Sequence, residues 1–368
     1  MIRKKVVNKK RPVIIDLTGP DGNAFVLLGY AKSYANQLGL PFDKIQSEMT
    51  SGDYENLIQV FDKYFGSFAY SFPIPKDIAI EVYDLKFKSP LLAASFKSEK
   101  DLIDIWLKLG LGGAVFKTIM SEKRNGNIRP RLQQVRLERQ ACLVNALGLP
   151  GEGVESFSNS IIDSPLWSND KPLGLSIGGE NFDNYIHCFD TIEKQLKTSS
   201  INNYFYELNI SCPNTDTGSC LGDNLSDLEK LIDYMRRYSS KVISIKVSPD
   251  WEDKHLKSIG DIILAKEKMI VNAGNTQFKT IEYLGLKKDS LPRGGGGLSG
   301  LAIFPRTLQM INLFSDMNLI IMATGGISTV HHLNAARDAG ATLFGMATSL
   351  IMDPYCIPKI NYNLSKGY

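Results

Sequence analysis

Tyr204 to Thr215 reads YFYELNISCPNT. Its first half is an aromatic and aliphatic run with the texture of a buried strand, and it stops at Asn209, Ser211, Cys212, Pro213 and Asn214. Polar chemistry therefore sits where a strand ends, and a parallel α/β protein keeps its site at that end. Two readings of Cys212 stand at this level. A thiol of reference pKa about 8.5 is readily moved toward neutrality by nearby charge or dipoles, which suits a proton-transfer group or nucleophile. The other reading is a buried apolar cysteine beside a turn.

Outward from this stretch, from about residue 78, one unit recurs: short apolar strand, polar or glycine-containing loop, amphipathic helix. The strand candidates are Leu91–Ala94, Ala114–Phe116, Leu173–Ile177, Phe205–Ile210, Val242–Val247, Met269–Asn272, Leu319–Ala323 and Leu343–Met346. This repetition predicts an α/β fold, a (β/α)8 TIM barrel over residues 77–368. A doubly wound sheet is the alternative, but no GxGxxG follows an early strand. A barrel demands distinctive residues where its strands end, and the sequence supplies Ser95, Lys117, Thr118, Ser176, Asn209, Lys246, Asn275, Thr276, Thr324, Gly325, Gly326, Ala347 and Thr348 there. Lys117 and Lys246 each sit in an otherwise apolar run (AVFK, VISIKV). A lysine so placed needs an anionic partner, which a bound ligand can supply. Gly294–Gly300 reads as mobile backbone able to close on an anion, and Ala323–Ile327 as a strand-to-helix turn with the same capacity. A glycine-rich surface loop and a plain helix entry are the simpler readings of the two.

Residues 1–76 differ in texture and form a small α-rich module of unstated role. A strand over Val13–Leu17 leads to the turn Thr18–Gly22; Asn23 caps a helix to Leu38 with Phe25, Leu28, Ala31 and Ala35 at helical spacing. Further helices are expected over Asp43–Met49 and Asp53–Phe65, and Ser71–Pro75 reads as a stiff linker because each proline fixes its backbone.

In a chain of 368 residues, 43% hydrophobic, the net charge of +3 is too small to imply a nucleic-acid or membrane partner. The basic residues Arg3 to Arg11 read as a solvated terminus. Five cysteines without a CxxC argue against a disulfide framework, a structural metal or an iron–sulfur site. No apolar run approaches the roughly 20 residues of a membrane helix, so a cytoplasmic protein is expected.

Lys117–Arg131 (KTIMSEKRNGNIRPR), Asn145–Pro150 (NALGLP), ELNISCPNT, IKVSP, VNAGNT, GGLSG, ATGGI and ATSL occur in that order between about Asp84 and Asp353. In this combination the chain resembles the dihydroorotate dehydrogenases, FMN enzymes built on a (β/α)8 barrel, and within them the soluble, fumarate-type class whose base is a cysteine. The resemblance implies FMN-dependent oxidation of dihydroorotate to orotate in pyrimidine synthesis, with Cys212 as base. Substrate would be held by Lys117, Asn145, the Leu147-Gly148-Leu149 backbone, Asn209, Asn214, Asn275 and Thr276. The flavin would meet Ala94, Ser95, Lys117, Thr118, Asn209 and Lys246, with its phosphate at Gly300, Gly325, Gly326, Ala347 and Thr348. Arg131 would steady the loop bearing the base. The resemblance further implies fumarate as acceptor and a homodimer. Other readings are a related flavin enzyme acting on another dihydropyrimidine, and a non-catalytic flavin-binding protein whose N-terminal module binds a partner. Three features depart from the family: Phe96 replaces a glycine and would crowd the flavin, the loop TDTGSCLGDN is unusual, and the N-terminal 76 residues have no counterpart.

Overall fold

The computed structural model describes residues 13–17, 22–66, 69–72, 78–211 and 220–367. They fall into two compact units: the described residues of Met1–Pro75 with Pro358–Gly367, and those of Lys76–Ile357.

In the first unit, strand β1 (Val13–Asp16) is followed by helices α1 (Ala24–Leu38), α2 (Phe42–Met49) and α3 (Tyr54–Phe65), and by β2 (Ala69–Phe72), which pairs in parallel with β1. Asn23 and Asp53 cap α1 and α3, their side-chain oxygens each accepting a backbone N–H at 2.9 Å. The core joins Ile15, Leu27, Ala31, Ala35, Ile45, Met49, Leu57, Phe61 and Phe65. Phe25, expected on the buried face of α1, is 83% exposed, because the buried stripe runs through Leu27, Ala31 and Ala35 at i, i+4 spacing. Ser71 and Phe72, expected in a linker, belong to β2. The Thr18–Gly22 turn (residues 18–21) and the basic cluster before residue 12 lie outside the described residues.

The second unit opens with an antiparallel hairpin of β3 (Ile80–Val82) and β4 (Leu85–Phe87). Then come β5 (Leu91–Ala93), α4 (Lys100–Lys108), β6 (Gly113–Val115), a ribbon of β7 (Leu132–Leu137) and β8 (Gln140–Asn145), and α5 (Val154–Ile162). Next follow β9 (Leu173–Ile177), α6 (Phe182–Lys197), β10 (Tyr204–Asn209), α7 (Leu225–Tyr238), β11 (Ile243–Lys246), α8 (Asp253–Leu264) and β12 (Met269–Ala273). After a second pair, β13 (Gln277–Thr280) and β14 (Gly295–Ser299), the chain continues through α9 (Phe304–Ser315), β15 (Ile321–Thr324), α10 (Val330–Asp338), β16 (Leu343–Met346) and α11 (Thr348–Met352); α12 (Cys356–Ser365) follows, and from Pro358 onward it belongs to the first unit.

Strands β5, β6, β9, β10, β11, β12, β15 and β16 close into a parallel barrel in chain order. These are the strands the apolar runs predicted. Every residue of β9, β10, β11, β12, β15 and β16 is buried, since a strand with barrel core on one face and helices on the other leaves neither to water. Val82, Leu85 and Phe87 of the hairpin pack with early strand residues such as Phe205, Ile270 and Met322, which plugs the N-terminal end. Register sets the opposite end: Asn209 pairs with Lys246, and Lys246 with Asn272.

Four short strands form a separate antiparallel sheet in the order β13-β14-β8-β7. It corrects one sequence reading. Of Gly294–Gly300, taken as a mobile anion loop, Gly295–Ser299 is strand β14, paired with β13 and β8. Its glycines permit close packing of backbone and side chain: a Cβ on Gly296 would lie 2.7 Å from the Asn145 carbonyl oxygen, and one on Gly297 would collide with the Thr276 hydroxyl. Among the described residues, no helix is long and apolar enough to cross a membrane.

Candidate active site

The polar residues at the barrel's strand ends line one cavity of about 390 Å³. Its wall takes Ala94 and Ser95 from beyond β5, Lys117 and Thr118 from beyond β6, Asn209 from β10, Lys246 from β11, and Asn275 and Thr276 from beyond β12. Thr324, Gly325 and Gly326 follow from β15, and Ala347 and Thr348 from beyond β16, while the antiparallel sheet and its loops add Asn145, Leu147, Leu149 and Gly300. Gly148 is not in the wall. Its φ of +69° makes a turn, and a Cβ there would lie 2.7 Å from the Asn127 backbone nitrogen, so this glycine is pressed against the neighbouring loop. Cys212 and Asn214 lie outside the described residues.

Sequence reasoning passed over Ser248, Asp250, Phe278, Arg293 and Ser299, which also line the cavity. Ser248 and Asp250 were within reach, two and four residues after Lys246. Phe278 lies on the short strand β13, and Arg293 in the turn just before β14. Asp250 accepts the Phe278 N–H at 3.0 Å, and burial pushes its carboxyl above the usual range.

Polar groups are set into a largely apolar wall. Lys246 is 5% exposed, and its amino group makes no hydrogen bond or ion pair among the described residues. An amino group withdrawn from water without a partner is unfavourable unless something else meets it. The Thr324 hydroxyl is likewise buried without a partner. At the opposite wall Gly300, Gly325 and Gly326 have φ of +106°, +141° and +80°. A Cβ on Gly326 would fall 2.6 Å from that of Phe304, and one on Gly325 would collide with the Thr307 hydroxyl, so only glycine keeps this cradle open. The backbone N–H groups of Gly325, Gly326, Ala347 and Thr348 have no acceptor among the described residues. Clustered free N–H groups make an anion site.

The amides are held by local bonds. Asn275 donates to the Ser211 hydroxyl at 2.9 Å while its oxygen accepts the Thr276 N–H at 2.8 Å. Asn145 donates to the Gly297 carbonyl at 3.3 Å. Arg131 donates to the Asn125 and Asn127 carbonyls at 2.7 and 3.1 Å, and Asn127 to the Ala146 carbonyl at 2.8 Å. This arginine stiffens the loop beside the Asn145–Leu149 wall. Phe96 lines the cavity, yet its ring also stacks on Trp106 of α4, with centroids 5.4 Å apart. The aromatic pair gives the bulky substitution a place against the helix layer.

This site residue set fits FMN: a buried lysine without a partner, a glycine cradle and a cluster of free N–H groups. Comparison with known proteins agrees. Residues 77–367 match the family model described as dihydroorotate dehydrogenase. The catalytic subunit of dihydroorotate dehydrogenase B (NAD(+)) of Shouchella clausii is 30% identical over 295 residues, covering 77% of this chain and 90% of that protein. The same subunit of Malacoplasma penetrans is 28% identical over 303 residues, covering 78% and 92%. Among solved structures, that of dihydroorotate dehydrogenase from Eimeria tenella, in complex with ferulenol, superposes with a TM-score of 0.66 over 83% of this chain and 89% of its own; at 20% identity this likeness bears on the fold alone. With its barrel, its strand-end residues and a family match that spans the whole barrel, the chain belongs to the dihydroorotate dehydrogenase family.

Proposed function

We propose that the protein oxidises dihydroorotate to orotate, with FMN as cofactor and Cys212 as base. The observation that carries this reading is the convergence of Lys117, Asn145, Asn209, Lys246 and Asn275 on one cavity. Bound FMN supplies the hydride acceptor for the reaction. The chain's own residues do the rest. Lys117 meets the substrate carboxylate, while Asn145, Asn209, Asn214 and Asn275 offer amide groups to the planar ring. Cys212 takes the proton from the carbon adjacent to the one that loses hydride. Lys246 holds positive charge in the wall, a fixed group that needs no reorganisation as negative charge develops beside it. Gly300, Gly325, Gly326, Ala347 and Thr348 would hold the cofactor phosphate.

The relatives' names carry NAD(+) rather than fumarate, and describe catalytic subunits. They give the fumarate implied by sequence resemblance no support, and they favour NAD(+) as final acceptor with a partner subunit. Reoxidation of the reduced protein by fumarate alone would overturn that assignment. Anaerobic addition of dihydroorotate should bleach the flavin band; bleaching by another dihydropyrimidine in its place would overturn the substrate.

The cradle makes a separate prediction. Gly326→Ala forces a left-handed residue and a contact with Phe304, at a cost of about 1–3 kcal/mol, and should yield protein with a lowered flavin-to-protein ratio by absorbance. Gly151→Ala, where a Cβ meets nothing within 4 Å, should retain its flavin. Equal flavin content in the two variants would remove Gly326 from the phosphate site.

A further inference from the structure

Inside the barrel, below the cavity floor, lies a carboxyl group that the proposed chemistry does not use. Glu207 of β10 is 0% exposed, and both of its oxygens accept: Oε1 from the Ser176 hydroxyl at 2.9 Å and Oε2 from Asn272 Nδ2 at 2.8 Å. Ser176 Oγ is 3.2 Å from Thr118 Oγ1, which accepts Asn209 Nδ2 at 2.8 Å and lies 3.4 Å from Ser95 Oγ. One continuous chain thus joins Glu207 to Asn209 and Ser95, two residues of the cavity wall.

The chain has a direction. A hydroxyl carries one proton and two lone pairs. The proton of Ser176 is committed to Glu207, so in the contact with Thr118 the serine accepts and the threonine donates. The Thr118 proton being spent there, Thr118 accepts from both Asn209 Nδ2 and Ser95 Oγ. The opposite orientation of the Asn209 amide would require Thr118 to donate to it, and two lone pairs would then face each other between Thr118 and Ser176. Asn209 therefore keeps its oxygen for Ser211 Oγ, at 3.4 Å, and for a ligand in the cavity. Ser95, its proton also spent, offers lone pairs. Asn272 shows how firmly the carboxyl demands donors: with its Nδ2 given to Glu207, its own buried oxygen is left without a partner.

We propose that Glu207 is a positioning residue whose carboxyl, through Ser176 and Thr118, sets Asn209 and Ser95 as acceptors for a ring N–H of the bound ligand. This rests on the reading of the cavity as a site for a pyrimidine substrate and a flavin, both of which carry imide N–H groups. Glu207→Gln keeps the shape but can itself donate to Ser176, which permits the whole chain to reverse and Asn209 to turn its NH₂ inward. Ser176→Ala breaks the chain without altering Glu207.

The test compares Glu207→Gln, Ser176→Ala and Asn209→Ala as flavin-loaded proteins. Three readouts are taken: thermal midpoint, dissociation constant of orotate by spectral titration, and dissociation constant of FMN by fluorescence. Loss of a hydrogen bond that presents a wall group to a ligand should weaken binding roughly tenfold in Glu207→Gln and in Ser176→Ala. A loss read in orotate assigns the acceptors to the substrate ring, and a loss read in FMN assigns them to the flavin ring. If Asn209→Ala weakens binding while the other two variants bind both ligands as the unaltered protein does, the positioning role is overturned and the site reading stands. Unaltered binding in Asn209→Ala overturns the site reading itself. A lowered thermal midpoint with both affinities intact would make Glu207 a purely structural residue and overturn the proposal.

Discussion

Cys212→Ala is expected to lower the rate of flavin reduction by dihydroorotate by about 10²–10⁴-fold near neutral pH, the range spanned by a positioned general base, and to leave the flavin bound. Forming the ring double bond requires one carbon to lose a proton as its neighbour loses a hydride, and a C–H proton departs slowly without a base. YFYELNISCPNT places Cys212 three residues after Asn209, a wall residue of the cavity, and among the described residues of that wall the titratable groups are Lys117, Lys246, Asp250 and Arg293. Cys212→Ser, which keeps a weaker proton acceptor, should fall between the two. Stopped-flow absorbance at the flavin band measures all three rates, and equal rates in Cys212→Ala and the unaltered protein would remove the thiol from the mechanism. Two of the other thiols are poor substitutes: burial pushes Cys188 up to about 12, and burial together with the adjacent Asp223 carboxylate pushes Cys220 up to about 12.

Lys246→Met is expected to act in opposite directions on stability and rate. The residue is 5% exposed, its amino group has no partner among the described residues, and it is registered opposite Asn209 and Asn272. Replacing a little-exposed, unpaired charge by an apolar side chain of similar length favours the flavin-free fold, so the flavin-free variant should melt at a higher temperature than the flavin-free parent. The flavin-loaded variant should reduce more slowly by about 10²–10³-fold, the usual loss when one preorganised electrostatic group is removed. Such opposition marks a residue retained for function at the expense of fold. Lower stability of flavin-free Lys246→Met would show that the lysine serves packing instead.

The barrel was legible because buried parallel strands are apolar on both faces, leaving uninterrupted runs such as LGLSI and MIVNA. Polar residues at the ends of those runs then stood out, and Lys117, Asn209, Lys246 and Thr348 all line the cavity. The antiparallel sheet was not legible. Strand β13 alternates between half-buried and exposed positions, and β14 is mostly glycine, a residue that reads as loop until its neighbours are known. Strand β2 was hidden by the prolines that follow it. Glu207 escaped notice although the argument used for the two lysines applies to it: a charged residue within YFYELN needs partners, and Ser176 and Asn272 are those partners. Gly148 is placed by a local constraint. Its place in NALGLP follows from a turn beside Asn127, whereas Leu147 and Leu149 on either side reach the cavity.

The proposed oxidation of dihydroorotate in this cavity is tested most directly by the reductive half-reaction, which needs neither an acceptor nor a partner subunit. The purified, flavin-loaded protein is mixed anaerobically with dihydroorotate while flavin absorbance and orotate are followed together. The flavin band is expected to bleach, with about one orotate formed per flavin reduced. A yellow protein whose spectrum stays unchanged in excess dihydroorotate, yet bleaches with a chemical reductant, would contradict it.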